Sequence, residues 1–288
     1  MSKSPTYGEL RELCLTKYHP WRNGGGRKTA IIYSGAFIKD HGYSFPAASI
    51  TKKVMNNYHL LLEDLGNSDA TINRKTSAVS TVLKFAYDIG EIDFQPPRFS
   101  RRKEIGTIRK FYTKEQIERI AEVALKEFEN KPLHDITLFA AYTAMRQGEI
   151  LNLRAGDINF NMNVINVGGS SHNRTKSGKH REVPISSRIL EIIETKCEYL
   201  GPNDYVFKED WASRHMLLKT FRNVTHRYLG FGEGYCFHSL RHSFGHLGVE
   251  ADISIRKIQK IMGHSNINTT LRYADSSDKS LQEAIERI

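Results

Sequence analysis

The chain reads as a mainly α protein with a small β-hairpin, a helical N-terminal domain and a mixed α+β C-terminal domain. Three observations predict this. Residues 6–95 and those from 187 onward carry apolar residues and stop signals patterned as helices. One stretch, "INFNMNVINVGG", alternates as a strand does, and "HREVPI" supplies its partner. A proline pair, Pro96 and Pro97, followed by a basic run divides the chain into 1–97, a linker at 98–110, and 111–288. With 288 residues, each part is long enough to bury its own core.

The N-terminal part reads as four helices. "TYGELRELCLTKY" opens on Thr6 as a cap and places Leu10, Leu13 and Leu15 within a helix. "RNGGGRK" at 22–28 breaks the chain before "KTAIIYSGAFIKDHG". That segment and "SITKKVMNNYHLLLEDLG" each stop at a glycine suited to a helix C-terminus. "SDATINRKTSAVSTVLKFAYDIGEI" starts on Ser and Asp caps and carries Ile72, Val79, Val82, Leu83 and Phe85; Pro96 and Pro97 are read as its end. In the second part, Thr113 caps "YTKEQIERIAEVAL" with an acidic residue close behind. A helix follows near 131–145, and then the helix and turn of "GEILNLRAGDI". "SSHNRTKSGK" joins the two strands.

Composition narrows the function. Hydrophobic residues at 39% and charged residues at 26% are ordinary for a soluble globular protein. The net charge of +10 points to an acidic partner, nucleic acid first. Half of that net charge sits in "RFSRRKEIGTIRK" at 98–110, six basic residues against one acid. Clustered Lys and Arg suit phosphate neutralisation, with Arg101, Arg102 and Lys103 at the centre of the run. Cys14, Cys197 and Cys236 lack the spacing of a disulfide framework or a zinc site, which fits a reducing cytoplasm. The N-terminus lacks the apolar core of a signal peptide, and no apolar run reaches membrane-spanning length, so no membrane partner is expected.

The chemistry is carried by a few short segments. "FHSLRHSF" at 237–244 and "IMGHSNINTTLRYAD" at 261–275 place His238, Arg241, His264 and Tyr273 within 36 positions. "TAMRQGEILNLRAGDI" adds Arg146 and Glu149, and "RTKSGKHREVPI" adds Lys176. To cut a phosphodiester, an enzyme must position a nucleophile and neutralise the non-bridging oxygens. Arginine does the second through its planar fork and permanent charge. Tyrosine forms covalent intermediates, but a pKa near 10 keeps it protonated and in need of cationic neighbours or a base. His238, His242 and His246 also fall on one helical face as a metal site would, though without a helper carboxylate at a compelling spacing.

The order and spacing of these motifs resemble the tyrosine recombinase, or phage integrase, family. The resemblance covers roughly 111–288 motif by motif and extends to 1–97 only in helical layout. It implies a C-shaped clamp around DNA, with 1–97 as a core-DNA-binding domain and 111–288 as the catalytic domain. Arg146 and Arg241 would grip the scissile phosphate, Glu149 steadying the first. Tyr273 would be the nucleophile, His238 would assist proton transfer and His264 would donate to the phosphate. Lys176 would be the general acid, with Lys179 and Arg174 as rivals in the same hairpin. Lys52, Lys53, Arg74, Lys75 and Lys84 would meet DNA, joined by Arg101, Arg102 and Lys103 of the linker.

The activity so implied is site-specific recombination through a 3′-phosphotyrosyl intermediate and a Holliday junction, needing no metal or other cofactor. The partners would be duplex DNA with inverted-repeat core sites, three further copies of the chain in a tetramer, and an accessory DNA-bending or directionality factor. The setting would be the cytoplasm of a prokaryotic or phage-infected cell. Helices beginning at residue 6 leave no room for an arm-binding domain, which implies a simple recombinase. Residues 276–288 hold an amphipathic stretch expected to pack in cis or on a neighbouring protomer. Two alternatives stand beside it: a type IB topoisomerase, which uses the same residues, and a non-catalytic DNA-binding relative, which would keep the basic linker but lose at least one reactive residue.

Overall fold

The computed structural model describes residues 4–22, 26–104, 110–168, 180–274 and 286. The chain divides into two compact units, Met1–Gly106 and Thr107–Ile288.

Unit 1 is built from α1 (Tyr7–Lys17), the short α2 (His19–Arg22), α3 (Gly26–His41), α4 (Lys52–Asp64) and α5 (Asp69–Asp88). Local chemistry fixes the ends. Thr6 and Glu9 form a reciprocal capping box on α1, while Thr51 and Ser68 cap α4 and α5. Gly42, Gly66 and Gly90 take positive φ just past α3, α4 and α5, a conformation that costs glycine little. The last helix therefore ends at Asp88, before Gly90, and not at Pro96 and Pro97; a left-handed glycine stops it several residues earlier.

The core of unit 1 gathers Tyr7, Phe37, Met55, Tyr58, Leu62 and Val79. Phe37 is its hub, with ring centroids 5.0 Å from Tyr7, 5.2 Å from Tyr58 and 5.6 Å from Phe45, all near edge-to-face. Truncating Phe37 to alanine would cost about 3–5 kcal/mol. The start of the linker is tied to this unit. Buried Asn73 donates Nδ2 to the Arg102 carbonyl and accepts the Arg102 amide at Oδ1, each at 2.9 Å. The Arg102 guanidinium reaches Glu63 at 2.8 Å and Asp69 at 3.4 Å.

Unit 2 packs helices around a small sheet. α6 (Lys114–Lys126) starts on a Thr113 capping box whose return partner is Gln116. α7 (Lys131–Thr143) is buried on nearly every side and forms the spine of the core. It stops at Ala144, held in the left-handed region at φ 53. α8 (Gln147–Leu151) leads to β1 (Ile158–Asn159), β2 (Val164–Val167) and β3 (Arg181–Pro184), an antiparallel sheet in the order β1-β2-β3. "INFNMNV" is thus a hairpin in its own right. The chain reverses at Asn163, with φ 51, so one predicted strand becomes β1 and β2.

In β3 the alternation places Arg181 and Val183 inward. α9 (Ser187–Cys197) and α10 (Arg214–Arg222) follow, and a π-helical stretch continues α10 over Asn223–Tyr228. α11 (Phe237–Glu250), α12 (Ile255–Met262) and α13 (Asn268–Ala274) complete the unit. Cys14, Cys197 and Cys236 are all free. No helix among the described residues is long and apolar enough to cross a membrane.

Candidate active site

The site grows from the carboxyl end of α12. The last carbonyls of a helix have no partner within it and form the negative end of its dipole. Three arginines from three other elements bond three consecutive carbonyls there. Arg181 of β3 donates Nε to Ile261 at 2.8 Å. Arg241 of α11 donates Nη2 to Met262 at 2.6 Å. Arg146, which precedes α8, donates Nη2 to Gly263 at 3.4 Å. Arg241 also donates Nη1 to the carbonyl of Ala144 at 2.5 Å, so the left-handed turn ending α7 serves the same charge.

Glu149 balances this cationic cluster. Its carboxylate accepts Arg181 at 2.7 and 3.2 Å and the Arg146 side chain at 2.9 Å, and its other oxygen accepts the Arg146 amide at 2.8 Å. Burial alone would raise the pKa of this carboxyl, but the Arg181 and Arg146 charges outweigh it and hold it at about 2. Arg241 is 3% exposed. Burial, then the neighbouring Arg146 charge, lowers it to about 9, and it remains a cation at neutral pH. Arg146 keeps more than a third of its side chain exposed, which leaves it open to an incoming anion.

Gly263 turns the chain out of α12 with φ 67 and delivers His264. A Cβ on Gly263 would lie 2.9 Å from Cδ of Arg181, so only glycine fits both the turn and the packing. His264 Nδ1 pairs with Thr270 Oγ1 at 2.9 Å, linking it to α13, and its ring stacks on Tyr273 at 6.4 Å. Burial, then the Arg241 and Arg146 charges, holds the imidazole down at about 4. His264 is therefore neutral at physiological pH, and in the tautomer whose Nδ1 accepts from the Thr270 hydroxyl it donates through Nε2.

Tyr273 is 3% exposed and packs with Ala144, Ile258 and Met262. One face of α11 receives it. His238, Arg241, His242 and Gly245 follow at i, i+3, i+4 and i+7. Gly245 is the niche for the phenol: a Cβ there would fall 2.6 Å from the ring. His242 Nδ1 lies 2.9 Å from the Tyr273 hydroxyl, and the His246 ring meets the phenol edge-on at 5.1 Å. His238 is exposed and sets its ring at right angles to His242, 4.9 Å between centroids.

Five of the predicted catalytic residues and Glu149 thus converge in unit 2, whereas Lys176, Lys179 and Arg174 lie outside the described residues. Of the three helical histidines, His238 sets its ring against His242, while His242 and His246 both meet Tyr273, His246 also stacking on Phe111 at 3.8 Å. In unit 1, Lys52 and Lys53 open α4, and both are exposed, as are Arg74 and Lys84. Lys75 is half-buried and bonds Asn67 at 3.0 Å. In the linker, Arg101 and Lys103 are exposed, while Arg102 is engaged by Glu63 and Asp69. Sequence reading missed Arg181 altogether and weighed His242 only as a metal ligand. Strand alternation could have found the first, and the four-residue step from His238 the second.

Comparison with known proteins agrees with this geometry. Residues 110–280 match the model of the phage integrase family. The tyrosine recombinase XerA of Pyrococcus furiosus is 30% identical over 270 residues, covering 92% of this chain and 89% of that one. XerA of Pyrococcus horikoshii is 29% identical, with 92% and 88% covered. Among solved structures, the Tn1549 transposon integrase in complex with transposon right end DNA superposes with a TM-score of 0.78 at 17% identity, covering 98% and 99%. The chain belongs to the phage integrase family, and its activity is that of a tyrosine site-specific recombinase.

Proposed function

We propose that this recombinase breaks duplex DNA with Tyr273 and rejoins it to a partner duplex. The observation that carries the assignment is the set of three arginines on Ile261, Met262 and Gly263, one residue before His264 and on the structure that buries Tyr273. Arg146 and Arg241 are the phosphate-binding pair, His264 adds a neutral donor, and Glu149 with Arg181 holds the frame. Tyr273 Oη bonds to phosphorus as the bond to the 5′ oxygen breaks, leaving a 3′-phosphotyrosine and a 5′ hydroxyl. A 5′ hydroxyl from the partner strand then reverses the step. The phosphotyrosine conserves the bond energy, so the cycle is energetically closed. Lys176 is the proposed acid that protonates the leaving oxygen.

The working partners are two DNA sites with inverted repeats and a tetramer of this chain acting through a Holliday junction. DNA contacts by Lys52, Lys53, Arg74, Lys75 and Lys84 in 1–97, and by Arg101 and Lys103 in the linker, would supply the salt-dependent part of binding. Arg102 would set the path of that linker. The expected setting is a prokaryotic cytoplasm.

The test traps protein-linked DNA under denaturing conditions from wild type and Tyr273→Phe, and sequences the ends. Adducts at one short inverted repeat, lost in the variant, are expected. Tyr273-dependent adducts scattered over unrelated sequences would overturn site specificity in favour of topoisomerase-like relaxation. Adducts that persist in Tyr273→Phe would remove Tyr273 as nucleophile.

A further inference from the structure

Three histidines surround Tyr273, and they address it differently. His264 uses Nδ1 on Thr270 and presents a ring face to the phenol. His246 stacks on Phe111 and meets the phenol ring edge-on. His242 brings a ring nitrogen to the hydroxyl itself, Nδ1 to Oη at 2.9 Å, with both residues buried. His238, which family resemblance casts as the proton-transfer residue, is exposed and touches His242 ring to ring.

We infer that His242 is a catalytic residue: its Nδ1 aligns the Tyr273 hydroxyl and takes its proton as Oη attacks phosphorus. The geometry fits a base. Tyrosine is protonated at neutral pH and becomes a competent nucleophile only if the proton has somewhere to go. A heavy-atom separation of 2.9 Å is within transfer distance. The hydrogen bond also fixes the phenol in the Gly245 niche, which limits the directions from which Oη can approach phosphorus.

The step balances. His242 starts neutral with its proton on Nε2, and Nδ1 accepts the hydroxyl proton as the Oη–P bond forms. The P–O5′ bond breaks and the leaving oxygen is protonated by the separate acid. In the rejoining step the 5′ hydroxyl loses its proton to that acid's conjugate base, and the departing Tyr273 oxygen recovers its own from His242. The imidazolium that exists between the two steps lies against His238, whose exposed ring is placed to exchange the proton with solvent.

This inference rests on Tyr273 being the nucleophile, so the experiment carries Tyr273→Phe as its own control. The probe is a nicked duplex bearing the mapped cleavage site, made with an ordinary 5′ oxygen or with sulfur at the bridging position. Adduct formation is followed in a single turnover for wild type, His242→Phe and His242→Asn. His242→Phe should slow cleavage at least about 100-fold. His242→Asn keeps a polar atom near the position of Nδ1 but lacks a basic nitrogen, and should remain at least about tenfold slow. Both should stay slow on the sulfur substrate, because a thiolate needs no acid and the lost function is on the other side of phosphorus. DNA affinity should stay within about twofold.

A wild-type rate in His242→Asn would overturn proton acceptance. Rescue by sulfur would move His242 to the leaving group and also overturn the assignment. If His242→Phe fails to fold, as melting would show, His242→Asn decides alone. Adducts formed by Tyr273→Phe would sink the underlying nucleophile reading, a separate result from either outcome at His242.

Discussion

In unit 2 the decisive cations are fixed: Arg181 and Arg241 are buried, and each is bonded to a carbonyl of the α12 terminus. In unit 1, Lys52, Lys53, Arg74 and Lys84 end in solvent. On the proposed function, the difference follows from the task. A transition state rewards charges that are already in place, since nothing then has to reorganise as the reaction proceeds. Recognition of a phosphate backbone needs only positive charge within reach, and surface side chains supply it at little structural cost. The described part of the linker holds both kinds side by side, with Arg102 paired and Arg101 and Lys103 exposed.

Breaking the fixed network should have the largest effect. Arg181→Met leaves Glu149 buried with half of its partners, and truncating one side of a buried pair costs about 3–5 kcal/mol. Thermal melting should fall by roughly 10 °C; a shift of a degree or two would make Arg181 peripheral. Next comes the niche. Gly245→Ala drives a methyl group into the Tyr273 ring, costing about 1–3 kcal/mol. It should also slow adduct formation about tenfold or more, because the proposed nucleophile is displaced. Equal single-turnover rates would show that the ring moves at no cost. In unit 1, Asn73→Ala removes both hydrogen bonds to the Arg102 backbone and should cost about 1–2 kcal/mol, read in denaturant unfolding.

Acid should act on the fixed site through two groups. His264 has a folded pKa near 4, below its unfolded value, so the unfolded chain binds the proton first. Stability from that group is present above about pH 6.5 and is lost as pH falls towards 4. Glu149 is also depressed, to about 2, and its contribution is lost at lower pH still, between about 4.3 and 2. His264→Gln should flatten the upper limb of stability against pH; an unchanged limb would place the proton elsewhere.

The smallest effect on stability, and the sharpest test of the comparison, lies in the linker. Changing Arg101 and Lys103 together to Gln should leave melting unchanged and reduce the salt slope of DNA binding by up to about 2. Arg102→Gln should do the reverse, costing up to about 1 kcal/mol with little change in slope. If all three behave alike, the division between fixed and loose charge fails within this segment.

The same division explains what the sequence reveals. Helix class, caps and glycine stops are local, and Thr6, Gly42, Gly66 and Thr113 announce them. Arg146, Arg241, His264 and Tyr273 are legible because each lies in a short frame whose residue types only phosphoryl transfer explains together. Arg181 is not, since its partners Glu149 and Ile261 are 32 and 80 residues distant and only the fold brings them to it. Gly90 ends α5 ahead of the more conspicuous Pro96 and Pro97, and the reversal at Asn163 hides inside an alternating stretch that reads as one strand. His242 looks like a ligand in sequence because helical spacing shows which face a side chain is on, but not what lies opposite.

The burial of Tyr273 also decides how the protein would answer a chemical reagent. Nitration or iodination modifies phenols roughly in order of their access to water. Tyr199, 88% exposed, would be labelled early, and Tyr273, 3% exposed, among the last. The side chain proposed as nucleophile is thereby one of the best shielded of its kind among the described residues, and on that reading mild oxidative or electrophilic damage would mark the surface long before it reached Tyr273.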